Sequence, residues 1–174
     1  MRTLALRLTP VEGESLRGYL GRYAAGFGFA PGEVVEAFGL AGEHRFDGLR
    51  LTPAQAGRAA AASGISPETI RAMTPERYAG SAFSSSGAGG GLLPRPVLAQ
   101  EVSVFSSRAC PACLREDGAW LLRWQLGWSL LCTRHRLLLI STCPACGGRL
   151  GPSRRARWGS DGHGELRDHR ACRS

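Results

Sequence analysis

The sequence contains no lysine, and all 22 of its basic residues are arginines. This absence excludes a Walker A loop, which needs a lysine beside the phosphates. It also excludes an enzyme that forms a Schiff base through a lysine amine. Aspartates are few as well, and no set of three carboxylates indicates a two-metal nuclease or transposase site. We therefore predict that the protein is not an enzyme.

Long apolar runs are also missing. No stretch reaches the ~18–20 apolar residues of a membrane span. The first ten residues carry Arg2 and Arg7, and they lack the apolar region and cleavage site of a signal peptide. We therefore expect no membrane association and a cytoplasmic location, where paired cysteines are metal ligands more often than disulfides.

No cysteine precedes residue 110, whereas six lie between 110 and 172. Cys110 and Cys113 are separated by two residues, and so are Cys132 and His135. Three sulfurs and one imidazole complete a tetrahedron without an open position, which is typical of a structural zinc ion. A redox dithiol is the weaker alternative, because a thioredoxin-like motif needs a βαβ context that this region does not show.

A second set follows at the same spacing. Cys143 and Cys146 repeat the first pair, and His169 and Cys172 complete a second Cys₃His group. His163 is a competing fourth ligand between two glycines. The sequence therefore predicts two Zn²⁺ ions.

Positive charge is concentrated in the same region. Residues 1–100 contain ten arginines and eight acidic residues, whereas residues 101–174 contain twelve arginines and six acidic residues. Such a field attracts phosphate backbones, and Arg154, Arg155 and Arg157 lie in the loop of the second site, where we predict DNA contacts. The alternative is a solvated basic loop and an arginine-rich composition that reflects codon usage.

Helical signals dominate the first 78 residues. Apolar residues recur at helical spacing after Ser15, a plausible N-cap, and a second short helix is expected at 31–38. Helices starting after Thr52 and Ser66, joined at Gly64, resemble a helix-turn-helix. Arg71 and Arg77 are the candidate DNA contacts of this pair, and a plain helical hairpin is the alternative.

Three tryptophans recur every four residues at Trp120, Trp124 and Trp128. On a helix they would share one face, and we predict that they form core, with base stacking as the alternative. The expected fold is mainly α, with a small helix-turn-helix-like bundle at 1–79 and a zinc-knuckle or zinc-ribbon-like domain with two metal sites at 98–174. A Gly/Ser-rich linker at 80–97 is expected between them.

These features together resemble the TniQ family of transposition proteins. The resemblance is carried by Gly13-Glu14-Ser15-Leu16, by Ser63-Gly64-Ile65-Ser66, and by the ordered knuckles from Cys110-Pro111 to Cys143-Pro144. It implies a non-catalytic partner in transposition that binds DNA or a guide complex and engages the transposon's ATPase regulator or transposase machinery. The alternatives are a zinc-stapled protein–protein interaction module and a helix-turn-helix transcriptional regulator without a role in transposition.

Overall fold

The computed structural model describes residues 4, 6–41, 48–78, 102–103, 107–144 and 147–152. The described chain is mainly helical, with one two-stranded antiparallel sheet. None of its helices is long and apolar enough to cross a membrane. Buried residues form two clusters, one among the N-terminal helices and one around the cysteines.

Helix α1 (Leu16–Phe27) forms where the apolar spacing predicts it. Ser15 caps it, because its hydroxyl oxygen accepts a hydrogen bond from the Gly18 N–H. The helix ends at Gly28, whose φ of 72° is accessible to glycine at little cost. The predicted start of this helix is confirmed.

Helix α2 (Pro31–Ala37) is also confirmed, and it packs against α1. Between the two helices the ring of Phe38 meets the edges of Tyr19 and Tyr23, with ring centroids 6.1 and 5.4 Å apart. Such aromatic contacts add to the apolar area that the helices bury. They form the centre of the N-terminal core.

Helices α3 (Pro53–Ser63) and α4 (Pro67–Ala72) pack against each other across a tight turn. Thr52 and Gln55 form the predicted capping box at the start of α3, and Gly64 ends α3 with a φ of 74°. A 3₁₀ helix (Pro75–Tyr78) follows α4. The sequence thus predicted this helical pair correctly.

The cysteine-rich half has little regular structure. It contains α5 (Pro111–Glu116), a 3₁₀ helix (Leu122–Gln125), and strands β1 (Leu131–Cys132) and β2 (Leu137–Leu138). The two strands pair antiparallel, with Leu131 opposite Leu138 and Cys132 opposite Leu137.

The tryptophan segment differs from the prediction. It is a single 3₁₀ turn, so the three side chains do not share one helical face. Trp120 and Trp124 are buried with their rings in edge contact, as predicted for core, but Trp128 is 50 % exposed. The core prediction is therefore wrong for Trp128, because the chain turns after Leu126 instead of continuing a helix.

The N-terminal helices contact the cysteine-rich half through backbone hydrogen bonds. The Ser15 N–H donates to the Trp120 carbonyl and the Leu122 N–H donates to the Gly13 carbonyl, each at 2.8 Å. These bonds form an antiparallel bridge between Glu14 and Leu121. The boundaries 1–79, 80–97 and 98–174 stay a prediction, and residues 80–97 lie outside the described chain.

A buried ion pair holds the start of α1 at this bridge. The Glu14 carboxylate has no exposed surface, and it accepts hydrogen bonds from Arg22 Nε at 2.8 Å and Nη2 at 2.6 Å. It also accepts one from the Val11 N–H at 3.0 Å. This bidentate pairing compensates the buried charge and fixes the entry into α1.

Candidate metal centre

The first ligand pair lies at the start of helix α5. Cys110 occupies the N-cap position and Pro111 begins the helix, so Cys113 lies in its first turn. Proline suits this position because the first helical N–H groups lack intrahelical partners. The resulting tight turn brings both thiols to the same side of the chain.

The second ligand pair lies in the β1–β2 hairpin. Cys132 ends β1, and His135 lies in the turn that leads to β2. Arg136 completes this turn with a φ of 53°, an uncommon conformation for a residue other than glycine. A bridge between Ala109 and Ile140 places the hairpin beside the start of α5.

The four ligand atoms converge as the spacing predicts. They all lie within 4.8 Å of one another. His135 Nδ1 lies 3.5 Å from Cys110 Sγ, 3.3 Å from Cys113 Sγ and 3.6 Å from Cys132 Sγ. The Sγ atoms of Cys113 and Cys132 are 3.7 Å apart.

These separations fit a tetrahedral zinc site. Zinc bonds of about 2.3 Å to sulfur and about 2.0–2.1 Å to nitrogen place sulfurs about 3.8 Å apart and sulfur about 3.5 Å from nitrogen. The three cysteines are buried and the histidine is partly buried. The group can therefore hold one metal ion in a closed set of four protein ligands, which is the arrangement of a structural site.

A carboxylate orients the histidine ring. His135 Nε2 lies 3.0 Å from Glu116 Oε1, at the end of α5. A proton on Nε2 donates to this carboxylate and leaves the Nδ1 lone pair directed at the thiols, as outer carboxylates do for metal-binding histidines. Arg134 in turn contacts Glu116 at 2.9 Å and Asp117 at 2.7 Å.

The pKa values of two thiols in the cluster are shifted in opposite directions. Burial, together with the neighbouring thiols of Cys132 and Cys110, raises the pKa of the Cys113 thiol to about 12. Burial also acts to raise the pKa of Cys132, but hydrogen bonds from the His135 backbone and ring and from the other two thiols together outweigh it and lower that pKa to about 6. Since thiolates are the ligands of zinc, a bound cation would displace the proton that the Cys113 thiol retains.

The cluster is also the centre of the C-terminal core. Its buried cysteines pack with Ala109, Leu114, Trp120, Trp124, Leu139 and Leu150. A metal ion bound to this group would connect α5 to the β1–β2 hairpin. Ligation would then contribute directly to folding.

The second predicted site is described only at its first ligand. Cys143 is buried, and its carbonyl accepts a hydrogen bond from the Gly147 N–H at 2.9 Å. Its own N–H donates to the Gly148 carbonyl, so the chain turns back on itself there, as in a knuckle. Cys146, His169 and Cys172, with the competing His163, lie outside the described residues, and the second ion stays a prediction.

Two of the five predicted DNA contacts lie within the described residues, and the other three do not. Arg71, in α4, and Arg77, in the following 3₁₀ helix, are both exposed. Arg71 Nε lies 3.6 Å from Glu76 Oε2, and the Arg71 side chain is 46 % exposed. Arg154, Arg155 and Arg157 lie outside the described chain, and DNA binding by any of the five stays a prediction.

Two functional carboxylates were missed by reasoning from the sequence. Glu116 orients His135, and Glu14 fixes the contact between α1 and the cysteine-rich half. An acidic residue one helical turn after a Cys-x-x-Cys knuckle is a signal that points to the first. Glu14 has a weaker signal, a Glu eight residues before an Arg on a predicted helix.

Comparison with known proteins agrees with this architecture. Among curated proteins, no sequence matches the chain. The family named TniQ matches residues 5–139, which include α1 to α4, both pairs of first-site ligands and the contact between them. The match covers more than half of the 174 residues. The chain therefore belongs to the TniQ family.

Proposed function

We propose that this protein is a non-catalytic, zinc-binding accessory protein of DNA transposition that acts in the cytoplasm. It binds DNA, the transposon's ATPase regulator, or both, and so helps to select the target site. Membership of the TniQ family supports a role associated with transposition. The observation that carries the proposal furthest is the closed Cys₃His cluster, because a metal ion held by four protein ligands has no open position for a substrate.

Zinc in this proposal is structural. Cys110, Cys113, Cys132 and His135 hold one ion, and Cys143, Cys146, His169 and Cys172 hold a second. Metal analysis of the purified chain tests this directly, and two zinc ions per chain are expected. One ion per chain would overturn the second site and leave the first, whereas none after expression with zinc would overturn both.

The proposed binding of nucleic acid is supported by the positive charge of the chain. The excess of arginine lies in the region of the metal ligands, and Arg71 and Arg77 add exposed cations to the helical pair. Phosphate contacts release counterions, so the observed affinity falls with salt by a slope of about 0.9 per contact in a double-logarithmic plot.

A mobility-shift titration across salt concentrations tests this part of the proposal. We expect binding at low salt, and a shallower salt slope for Arg71→Ala and Arg77→Ala. Arg50→Ala is the matched control, because Arg50 is also exposed and lies before helix α3. Absence of binding at low salt would refute the nucleic-acid role.

A second candidate, a zinc-stapled protein interaction module, is favoured by the surface of the hairpin. Four leucines of the hairpin region are exposed, at 55, 51, 42 and 72 % for Leu130, Leu131, Leu137 and Leu138. Trp128 nearby is 50 % exposed. Exposed apolar residues grouped in this way are typical of protein contact surfaces.

The transposon's ATPase regulator is the partner that we propose for this surface. A pull-down without DNA is expected to retain the regulator on the wild-type chain and to lose it for Leu138→Ser. Phe29→Ser is the control, because Phe29 is also an exposed apolar residue, at 44 %, but follows α1 in the other half. Equal retention by both variants would refute the hairpin as the contact surface.

A further inference from the structure

Arg134 lies between the two candidate ligands of the hairpin, and its side chain reaches the helix that carries the other two. Its Nη2 lies 2.9 Å from Oε2 of Glu116, the last residue of α5. Its Nη1 donates to Oδ2 of Asp117, the next residue, at 2.7 Å. One guanidinium therefore links the β1–β2 hairpin to the end of α5 without using a metal ion.

Glu116 contacts Arg134 and His135 with different oxygens. Its Oε1 lies 3.0 Å from His135 Nε2, and its Oε2 pairs with Arg134. Glu116 follows Cys113 by three residues on α5, so the two side chains are neighbours on the helix surface. The carboxylate is thus held from two sides, by the imidazole that it orients and by the guanidinium.

An exposed carboxylate keeps one orientation only if its contacts restrain it. The Glu116 side chain is 47 % exposed, whereas that of His135 is 18 % exposed. Ordering a flexible glutamate side chain costs rotamer entropy, so the bond to His135 alone restrains it weakly. The planar fork of an arginine fits carboxylates with a defined geometry, and here it spans two of them. Arg134 therefore supplies the second restraint on Glu116.

We propose that Arg134 is a positioning residue for the metal ion. It acts through Glu116: the guanidinium holds the carboxylate, and the carboxylate holds the His135 imidazole with Nδ1 directed at the three thiols. The inference rests on the proposed zinc ion at this site, and it goes further because it assigns part of the zinc affinity to a residue that is not a ligand. Changes to the groups that support metal ligands typically alter affinity by about 10–100-fold.

The test measures the zinc affinity of the full chain by competition with a chromogenic chelator. Glu116→Ala should weaken zinc binding about tenfold. Arg134→Ala should weaken it about threefold, which is less because both partners of this ion pair are exposed. Arg136→Ala should leave the affinity unchanged. It is the matched charge control, because Arg136 adjoins His135 on the other side, is exposed, and makes no ion pair among the described residues.

The double variant shows whether Arg134 acts through Glu116. If it does, Arg134→Ala has no further effect in the Glu116→Ala background, and the double variant loses about tenfold, whereas independent effects would multiply to about thirtyfold. A merely structural role of Arg134 in the hairpin turn would weaken zinc binding in both backgrounds. The second predicted site is common to all the variants, so differences among them report the first.

Each outcome decides for or against the positioning role. A loss of affinity in Arg134→Ala that disappears in the Glu116→Ala background, with Arg136→Ala unchanged, supports it. Unchanged affinity in Arg134→Ala, an equal loss in Arg136→Ala, or a loss that multiplies with that of Glu116→Ala overturns the role of Arg134 and leaves the zinc ion in place. A wild-type chain that binds no zinc overturns both the ion and the inference.

Discussion

Gly18 is the position where the contact between the two halves of the chain can be tested most directly. It lies in α1, one turn after the Ser15 cap, and faces the backbone of Trp120. A Cβ added at Gly18 would lie 2.6 Å from Trp120 Cβ, 2.9 Å from Trp120 O and 3.0 Å from Ser15 Oγ. Gly18→Ala therefore forces Trp120 away from the helix.

The expected change in the free energy of unfolding follows from the contacts that a displaced Trp120 would lose. Overpacking of this kind costs about 1–3 kcal/mol. The Trp120 carbonyl accepts a hydrogen bond from the Ser15 N–H, and the neighbouring Leu122 N–H donates to Gly13, so displacement weakens bonds that contribute about 1 kcal/mol each. Replacing glycine by alanine inside a helix stabilises the helix by about 1 kcal/mol, which offsets part of this loss. We expect a net loss of about 1–4 kcal/mol in the free energy of unfolding.

Gly26→Ala is the matched control, because Gly26 lies in the same helix and an added Cβ meets nothing within 4 Å. It should raise stability by about 0.5–1 kcal/mol. Urea and thermal unfolding of the zinc-loaded proteins, followed by circular dichroism, measure both changes. If Gly18→Ala were as stable as Gly26→Ala, the close approach of α1 to Trp120 would be refuted.

Three further predictions concern the metal, the ion pair and pH. Cys113→Ser should lose one zinc ion per chain, measured by metal analysis, and with it cooperative unfolding of the C-terminal half, because ligation there is folding energy. Glu14→Gln should lower stability by about 1–3 kcal/mol in urea unfolding, because Arg22 loses the charge that balances it. Burial raises the pKa of Tyr19 to about 12, so the folded state keeps the phenol proton after the unfolded chain has lost its own near pH 10. The stability from Tyr19 is therefore complete below about pH 10 and is lost progressively between about pH 10 and 12, as unfolding midpoints measured across pH should show.

Controls separate these effects from general damage. Thr133→Ala changes an exposed residue between two ligands and should keep the full zinc content. Glu12→Gln, at an exposed site near Glu14, should change stability by less than about 0.5 kcal/mol. Tyr19→Phe should remove part of the alkaline loss. Full zinc content in Cys113→Ser would contradict the first prediction. Equal effects of Glu14→Gln and Glu12→Gln on stability would contradict the second. The third would be contradicted by the same alkaline loss of stability in Tyr19→Phe as in the wild type.

The helical ends were predictable because their signals are local. The hydroxyls of Ser15, Thr52 and Ser66 cap the helices that follow, and Gly28 and Gly64 end them in left-handed conformations. Each signal acts within one helical turn, so no knowledge of the rest of the fold is needed. The same reasoning gave a wrong prediction for Trp128. A spacing of four residues between tryptophans also fits a short 3₁₀ turn whose last tryptophan is exposed.

By itself, the sequence determined which four side chains could hold a metal ion at the first predicted site. Ligand chemistry and the two-residue spacing within each pair restrict the choice, and Cys110, Cys113, Cys132 and His135 do converge within 4.8 Å. Only the tertiary structure decided what surrounds and connects that site: Glu116 on the histidine, Arg134 on Glu116, and the bridge from Glu14 to Leu121. These relations join residues far apart in the chain or depend on burial, and packing of the whole chain sets both.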